Sequence, residues 1–262
     1  MKYPKISVII PAYNEEKAIG FVIRDIPKRI VDQIIVVDNG STDNTFLEAK
    51  NAGAHVVKEL RKGYGNACLK GLSNLHTDTE IVVFLDGDYS DYPEDMERLV
   101  HPIIDNRADL TIGSRLTGKR EKGALLLQSY IGNKIATFLI WIFWGFRFTD
   151  LGPFRAIRYK SLTQMNMKDK NFGWTVEMQI KAVINKVRIL EVPVRYRKRI
   201  GKSKITGTIS GTIKAGVKII YTILKYRIAT LIVLARKRPS PRPSPTRGEG
   251  TSPPLMGGIK GG

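Results

Sequence analysis

This 262-residue chain has one cysteine, Cys68, and only three histidines. A single thiol cannot form an internal disulfide, and His55, His76 and His101 stand too far apart for zinc-site spacing. A reducing compartment is the expectation. Long apolar runs are missing as well: the longest uncharged stretch, "IATFLIWIFWGF" at 135–146, is well short of the roughly 20 residues that cross a bilayer. The apolar run ahead of Pro11 is only five residues long, too short for the apolar region of a secretion signal. The chain is therefore expected in the cytoplasm, associated peripherally with the inner face of the membrane. Acid is also missing over a long interval. No Asp or Glu occurs between Val192 and Gly248, while the formal net charge of the whole chain is +19. An acidic partner is implied, and nucleic acid, anionic lipid or a phosphorylated substrate would each satisfy the charge. Nucleic acid is disfavoured, because no aromatic side chains interleave with the basic run in a stacking pattern.

What is present is a regular alternation of strand and helix patterns. "KISVIIPAY" (5–13), "QIIVVDNG" (33–40), "AHVVKEL" (54–60), "EIVVFLDGD" (80–88) and "ADLTIGSR" (108–115) read as strands. Between them, helical spacing is expected over 14–30, in "DNTFLEAKNAG" with Ser41 and Thr42 as caps and Gly53 as its end, in "YGNACLKGLSNL", and over 94–106. Such alternation predicts an α/β fold with a mostly parallel sheet covered on both faces. Ligands of such sheets bind at the carboxyl ends of the strands. Tyr13 to Glu15, Asp38 to Ser41 and Asp86 to Asp88 all fall there.

After about residue 115 the pattern changes. The segment 125–148 is apolar on most sides, and either a core helix or an interfacial helix fits it. The segment 207–235 has helical period, with Lys214, Lys218, Lys225 and Arg227 interrupting its apolar residues; it can lie on a membrane or on the domain. Beyond 236 the chain is rich in Pro, Ser and Gly and is expected to be disordered. The expected organisation is a domain over 1–206, a membrane-proximal helical segment over 207–235, and a tail over 236–262.

The stretch "FLDGDYSDYPED" (84–95) gathers five acids in a basic chain. Asp86 and Asp88, at alternate positions at a strand end, suit a shared hard cation such as Mg²⁺ or Mn²⁺, which takes one or two carboxylates plus substrate phosphates. Asp91, Glu94 and Asp95 are expected to serve the start of the next helix, where acids favour the dipole.

"SVIIPAYNEE", "IIVVDNGSTDNT", "GYGNA" and "FLDGDYSDYPED", in this order, resemble a family-2 glycosyltransferase of the GT-A fold, closest to the polyprenyl-phosphate hexosyltransferase branch, over about residues 5 to 227. The resemblance implies that Pro11, Tyr13, Asn14 and Glu15 hold the base and ribose of a nucleotide sugar. Asp38 would accept from the base, with Gly40 and Ser41 letting the backbone approach; Asn39 stands where many relatives have a second Asp. Lys62, Gly63 and Gly65 would lie beside the donor diphosphate. Asp86, Gly87 and Asp88 would bind metal and diphosphate, with Ser90 where some relatives have Gln. Arg115 would contact a phosphate.

An acceptor hydroxyl needs a general base, whereas a lipid phosphate arrives already anionic and needs positioning. The basic stretch of Arg197, Arg199, Lys202, Ser203 and Lys204 suits the second case, since guanidinium and ammonium groups both grip phosphate. By resemblance, Asp150 and Arg155 shape the sugar and acceptor pocket. Trp174 would stack on the sugar, and Glu177 would bind its hydroxyls or act as base. The expected reaction is an inverting, metal-dependent transfer of mannose or glucose from its nucleotide sugar to polyprenyl phosphate, with Asp88, Arg199, Lys204 and Glu177 as the catalytic set. Two alternatives stay open: transfer to a saccharide hydroxyl with Glu177 as base, and a membrane-associated nucleotide-binding scaffold without catalysis.

Overall fold

A computed structural model describes residues 3–201 and 209–236 of the chain. Lys202, Ser203 and Lys204, the start of the 207–235 segment and the tail after Arg236 lie outside the described residues. Seven strands form one sheet: β1 (Ile6–Ala12), β2 (Gln33–Asp38), β3 (His55–Lys58), β4 (Ile81–Phe84), β5 (Leu110–Ser114), β6 (Arg155–Arg158) and β7 (Ile189–Pro193). Their order is β3-β2-β1-β4-β6-β5-β7. Every pairing is parallel except those of β6 with β4 and with β5. The α/β fold with a mostly parallel sheet is thus as expected. The antiparallel insertion of β6 has no counterpart in the strand pattern of the sequence.

The central strands β1, β2 and β4 are buried on both faces, which is why they read as apolar runs. On one face Ile9, Ile35, Val37 and Phe84 pack with α3 (Tyr64–Leu72), α5 (Leu127–Trp144), α7 (Trp174–Ile184) and α8 (Ile209–Arg236). On the other, Val8, Ile10, Val36 and Val83 pack with α1 (Ile19–Asp25), α2 (Thr45–Asn51) and α4 (Met96–Ile104). A short helix, α6 (Tyr159–Met165), follows β6.

Several boundaries differ from expectation for visible reasons. The first helix begins only at Ile19, because Asn14 takes a left-handed φ of 54° and the residues around it form a turn. Ser41 and Thr42 do not cap α2. The Ser41 hydroxyl instead accepts the Asn14 N–H at 3.0 Å, and Asp43 Oδ1 receives the Thr45 N–H at 3.0 Å. In the 125–148 segment, α5 buries Ala136, Thr137 and Ile140 against the domain while leaving Leu127, Ile131, Phe138 and Ile142 exposed. No helix among the described residues is long and apolar enough to cross a membrane.

Candidate active site

Strand order runs outward from β1 in both directions, so the carboxyl ends of β1, β2 and β4 flank a topological switch point. A cavity of about 320 Å³ opens there, lined by Pro11, Tyr13, Glu15, Lys62, Gly63, Asp86, Gly87, Asp88 and Arg199 from the expected set. The Lys62 ammonium lies 5.1 Å from the centre of the Tyr13 ring, so a cation and an aromatic face share one wall.

Asn14, Asp38, Gly40, Ser41 and Gly65 are not on this lining. The first four knot two turns together. Thr42 donates its N–H to Asn14 Oδ1 at 2.8 Å, Ser41 donates its N–H to Asp38 Oδ1 at 2.9 Å, and Gly40 supplies a φ of 75°. Gly65 serves packing: a Cβ there would stand 2.0 Å from the Asp169 carbonyl oxygen. Asn39, whose identity departs from many relatives, does line the cavity. Its amide donates to the carbonyls of Glu59 and Arg61 at 2.8 and 2.9 Å and accepts the Gly63 N–H at 2.8 Å. An aspartate would lose both donated bonds, so the 59–63 turn and Asn39 belong together.

The two acids of the strand end are held differently. Asp86 accepts from the Tyr64 hydroxyl at 3.2 Å, and burial together with the Asp88 charge raises its pKa to about 6. Asp88 Oδ1 accepts both the N–H and the hydroxyl of Ser90, at 2.9 and 2.6 Å, leaving Oδ2 to Arg199 at 3.0 Å. Ser90 therefore orients Asp88. Arg199 also reaches Glu15 Oε1 at 3.1 Å, joining the nucleotide turn to the acid turn. No group of three or more His, Cys, Asp or Glu side chains among the described residues is placed to hold a metal. Two carboxylates fit a magnesium-like cation that completes its shell with substrate phosphates and water. The raised Asp86 marks a charge that such a cation would relieve.

Asp91 corrects the expectation most clearly. It is 2% exposed, and neither carboxylate oxygen has a hydrogen-bond partner among the described residues. Burial, and then the Asp86 charge, pushes its pKa well above the usual carboxylate range. It belongs behind the acid pair and does not serve a solvated helix start. Asp95 is also buried, but it accepts the Arg195 N–H at 2.7 Å.

The basic stretch folds back along the acid turn, with the Arg197 and Ile200 N–H groups donating to the carbonyls of Ser90 and Asp88. Arg197 is not free to grip phosphate: its guanidinium sits 3.3 Å from the Tyr89 ring centre and 4.1 Å from that of Tyr92, and donates to the Tyr89 and Asp91 carbonyls. Arg115 is likewise committed, to the buried Asp150, by two hydrogen bonds of 2.8 and 2.7 Å from its side chain. Arg155 is wholly buried and donates to the carbonyls of Leu151, Gly152 and Thr175, with burial lowering its pKa to about 10. Trp174 is 1% exposed and packs edge-on against Phe84 in the core, so it presents no face to a sugar.

Glu177 is also a structural group. Fully buried, it accepts the N–H groups of Lys168 and Asp169, pairs with Lys181 at 2.8 Å and accepts from the Tyr226 hydroxyl at 2.5 Å. It holds the loop after α6 in place and lies off the cavity lining. That loop instead delivers Asn171 and Phe172 to the cavity, so the aromatic that this stretch places on the lining is Phe172 and not Trp174. The only signal for this in the sequence was an aromatic two positions earlier in the same stretch, "NFGW".

The family model described as glycosyl transferase family 2 matches residues 7–164. The chain belongs to this family. An uncharacterized glycosyltransferase of Mycobacterium tuberculosis is 33% identical over 80% of this chain and 94% of its own length. A dolichyl-phosphate hexose transferase of Haloferax volcanii is 31% identical over 86% of this chain and 97% of its own. Among solved structures, glucosyl-3-phosphoglycerate synthase from Mycobacterium tuberculosis, in complex with Mn²⁺, UDP-glucose and phosphoglyceric acid, superposes with a TM-score of 0.70 at 24% identity, covering 86% of this chain and 80% of that one. The shared architecture is the GT-A fold. The chain is accordingly an enzyme of the glycosyltransferase class, and the acid turn after β4 lies within the matched family region.

Proposed function

We propose that this family-2 glycosyltransferase moves a hexose from a nucleotide diphosphate sugar to a polyprenyl phosphate at a membrane face. The observation that carries the reading is the state of the cavity's carboxylates. Those on its lining are Glu15, Asp86 and Asp88. Two of the three are tied to Arg199, and Asp86 neighbours Asp88 as half of a metal-binding pair. Glu177, the candidate base, is consumed in the core. A site of this kind favours an acceptor that brings its own negative charge and needs no base.

Within this reading Tyr13, Lys62 and Phe172 hold the nucleotide end, while Asp86 and Asp88 hold a divalent cation, Mg²⁺ or Mn²⁺. That cation would neutralise charge on the departing diphosphate. Arg199 supplies a second positive charge beside the same acids and is positioned to move to phosphate as donor binds. Lys202, Ser203 and Lys204, which follow Arg199 in the sequence, are the residues this reading assigns to the acceptor phosphate, although they lie outside the described residues. The acceptor oxygen attacks the anomeric carbon opposite the diphosphate, giving inversion.

Support for a lipid acceptor comes from the H. volcanii relative and from the apolar residues exposed on α5 and α8, interspersed with Lys134, Lys218, Lys225 and Arg227. The anionic membrane surface is the corresponding partner. Purified enzyme incubated with Mn²⁺, polyprenyl phosphate and radiolabelled UDP- or GDP-hexoses should place label in the lipid phase. Label appearing only on a soluble phosphoglycerate or saccharide acceptor would replace this assignment with a hydroxyl-acceptor one.

A further inference from the structure

A second cavity, of about 210 Å³, lies between the loop 168–170 and α8, with Lys168, Lys170, Lys218, Lys225, Asp169 and Tyr221 on its walls. Its one carboxylate is already engaged. Asp169 pairs with Lys218 at 2.8 Å and accepts the N–H groups of Asn171 and Gly173 at 2.7 and 3.1 Å. Lys168, Lys170 and Lys225 have no carboxylate partner among the described residues. All three are exposed on the cavity walls, so an anion entering it meets lysines that no carboxylate among the described residues neutralises.

The cavity is built on fixed supports. Glu177, fully buried, fastens the N–H groups of Lys168 and Asp169 and takes the Tyr226 hydroxyl from α8. Gly173 allows the loop to meet the helix, since a Cβ there would stand 2.6 Å from Thr222 Oγ1. Beside the cavity, α8 exposes Val217, Ile220, Leu224 and Ile228. An anion bound here would therefore lie next to apolar surface, which suits a phosphate that carries acyl chains better than a free one.

We infer that this cavity binds the phosphate of an anionic phospholipid headgroup, at a place separate from the donor cavity. The lysines receive the phosphate, and the chains run along the apolar residues of α8. Asn171 and Phe172, next in the same loop, wall the donor cavity, so a headgroup held here braces that wall. The inference goes beyond the transfer reaction and does not depend on the identity of donor or acceptor.

Its test is binding of the full chain to phosphatidylcholine vesicles with and without phosphatidylglycerol. The triple variant K168Q/K170Q/K225Q should lose at least about tenfold of the phosphatidylglycerol-dependent affinity, given a few-fold per lysine at an anionic surface. The charge-matched control K28Q/K50Q/K160Q, at exposed positions off both cavity linings, should lose little. Nucleotide diphosphate binding by both variants verifies folding and keeps this outcome distinct from any failure at the donor site. Equal losses in the two triple variants would mean diffuse attraction and overturn the site. Unchanged binding by the first variant would also overturn it. Release of wild type from the vesicles by inorganic phosphate, beyond the effect of chloride at the same ionic strength, would make this a soluble-phosphate site and overturn the lipid assignment.

Discussion

Arg199 Nη2 stands 3.0 Å from Asp88 Oδ2, while Ser90 holds the other oxygen of the same carboxylate. A divalent cation bound by Asp88 would therefore compete with this guanidinium before donor arrives. Replacing Arg199 by Gln should leave Mn²⁺ affinity equal or a few-fold tighter, yet lower kcat by about a hundredfold, as loss of a charge-stabilising donor does. Mn²⁺ titration by electron paramagnetic resonance, set beside transfer kinetics, separates the two effects. Weaker metal binding in this variant would show that Arg199 supports the metal and does not compete with it.

A cation held by Asp86, as proposed, would bind with a pH dependence of fixed sign. The Asp86 pKa is raised to about 6 by burial and by Asp88, so the proton must leave before a cation binds. Mn²⁺ affinity of the wild type should be flat above about pH 7 and fall by up to tenfold per unit below 6. Without metal, the folded state binds more protons than the unfolded one between the ordinary value of 3.8 and about 6. Stability of the metal-free protein should therefore decrease as pH rises through that window, by no more than about 1.4 kcal/mol per unit. Urea unfolding at pH 4.5 and 6.5 measures this, and Asp86→Asn should remove Asp86's share of the slope.

Glu177 joins the loop 168–170 to α7 and α8 through its bonds to Lys168, Asp169, Lys181 and Tyr226. Breaking a buried pair of this kind costs about 3–5 kcal/mol. Glu177→Ala should lower the melting temperature by many degrees while retaining transfer per folded molecule at low temperature. Complete loss of transfer in a protein that remains folded would restore Glu177 as a base.

Gly65 meets the Asp169 carbonyl where a Cβ would stand 2.0 Å away. Gly65→Ala should cost about 1–3 kcal/mol of stability, as overpacking does. It should also weaken nucleotide binding, because the displaced loop carries Asn171 and Phe172. Thermal melts with and without UDP or GDP read both effects.

The sequence made the parallel half of the sheet legible because its strands are buried on both faces and end in polar turns. The antiparallel β6, "RAIR", was hidden: its two arginines break the apolar run, and Arg155 is buried only because three backbone carbonyls take its donors. That Asp86, Asp88, Tyr13 and Lys62 share one cavity is legible because residues at neighbouring strand ends carry local motifs. Glu177, Trp174 and Arg197 look like ligands in the sequence because their types suit sugars and phosphates. Their actual partners, Tyr226, Phe84 and Tyr89, come from elements distant in the chain or across the core, which no local pattern reveals. Asp91 shows the converse. Next to a helix start it looked like an ordinary first-turn acid, and only the fold of the basic stretch over it makes it buried.

If Asp86 and Asp88 hold the cation that lets a nucleotide sugar give its hexose to a lipid phosphate, loss of either carboxylate must stop transfer. The most direct measurement compares wild type with Asp88→Ala for Mn²⁺-dependent passage of radiolabelled hexose into polyprenyl phosphate. The account predicts label in the lipid phase with wild type and Mn²⁺, at least about a thousandfold less with Asp88→Ala, and none after chelation. Undiminished lipid labelling by Asp88→Ala, or labelling that survives chelation, would contradict it.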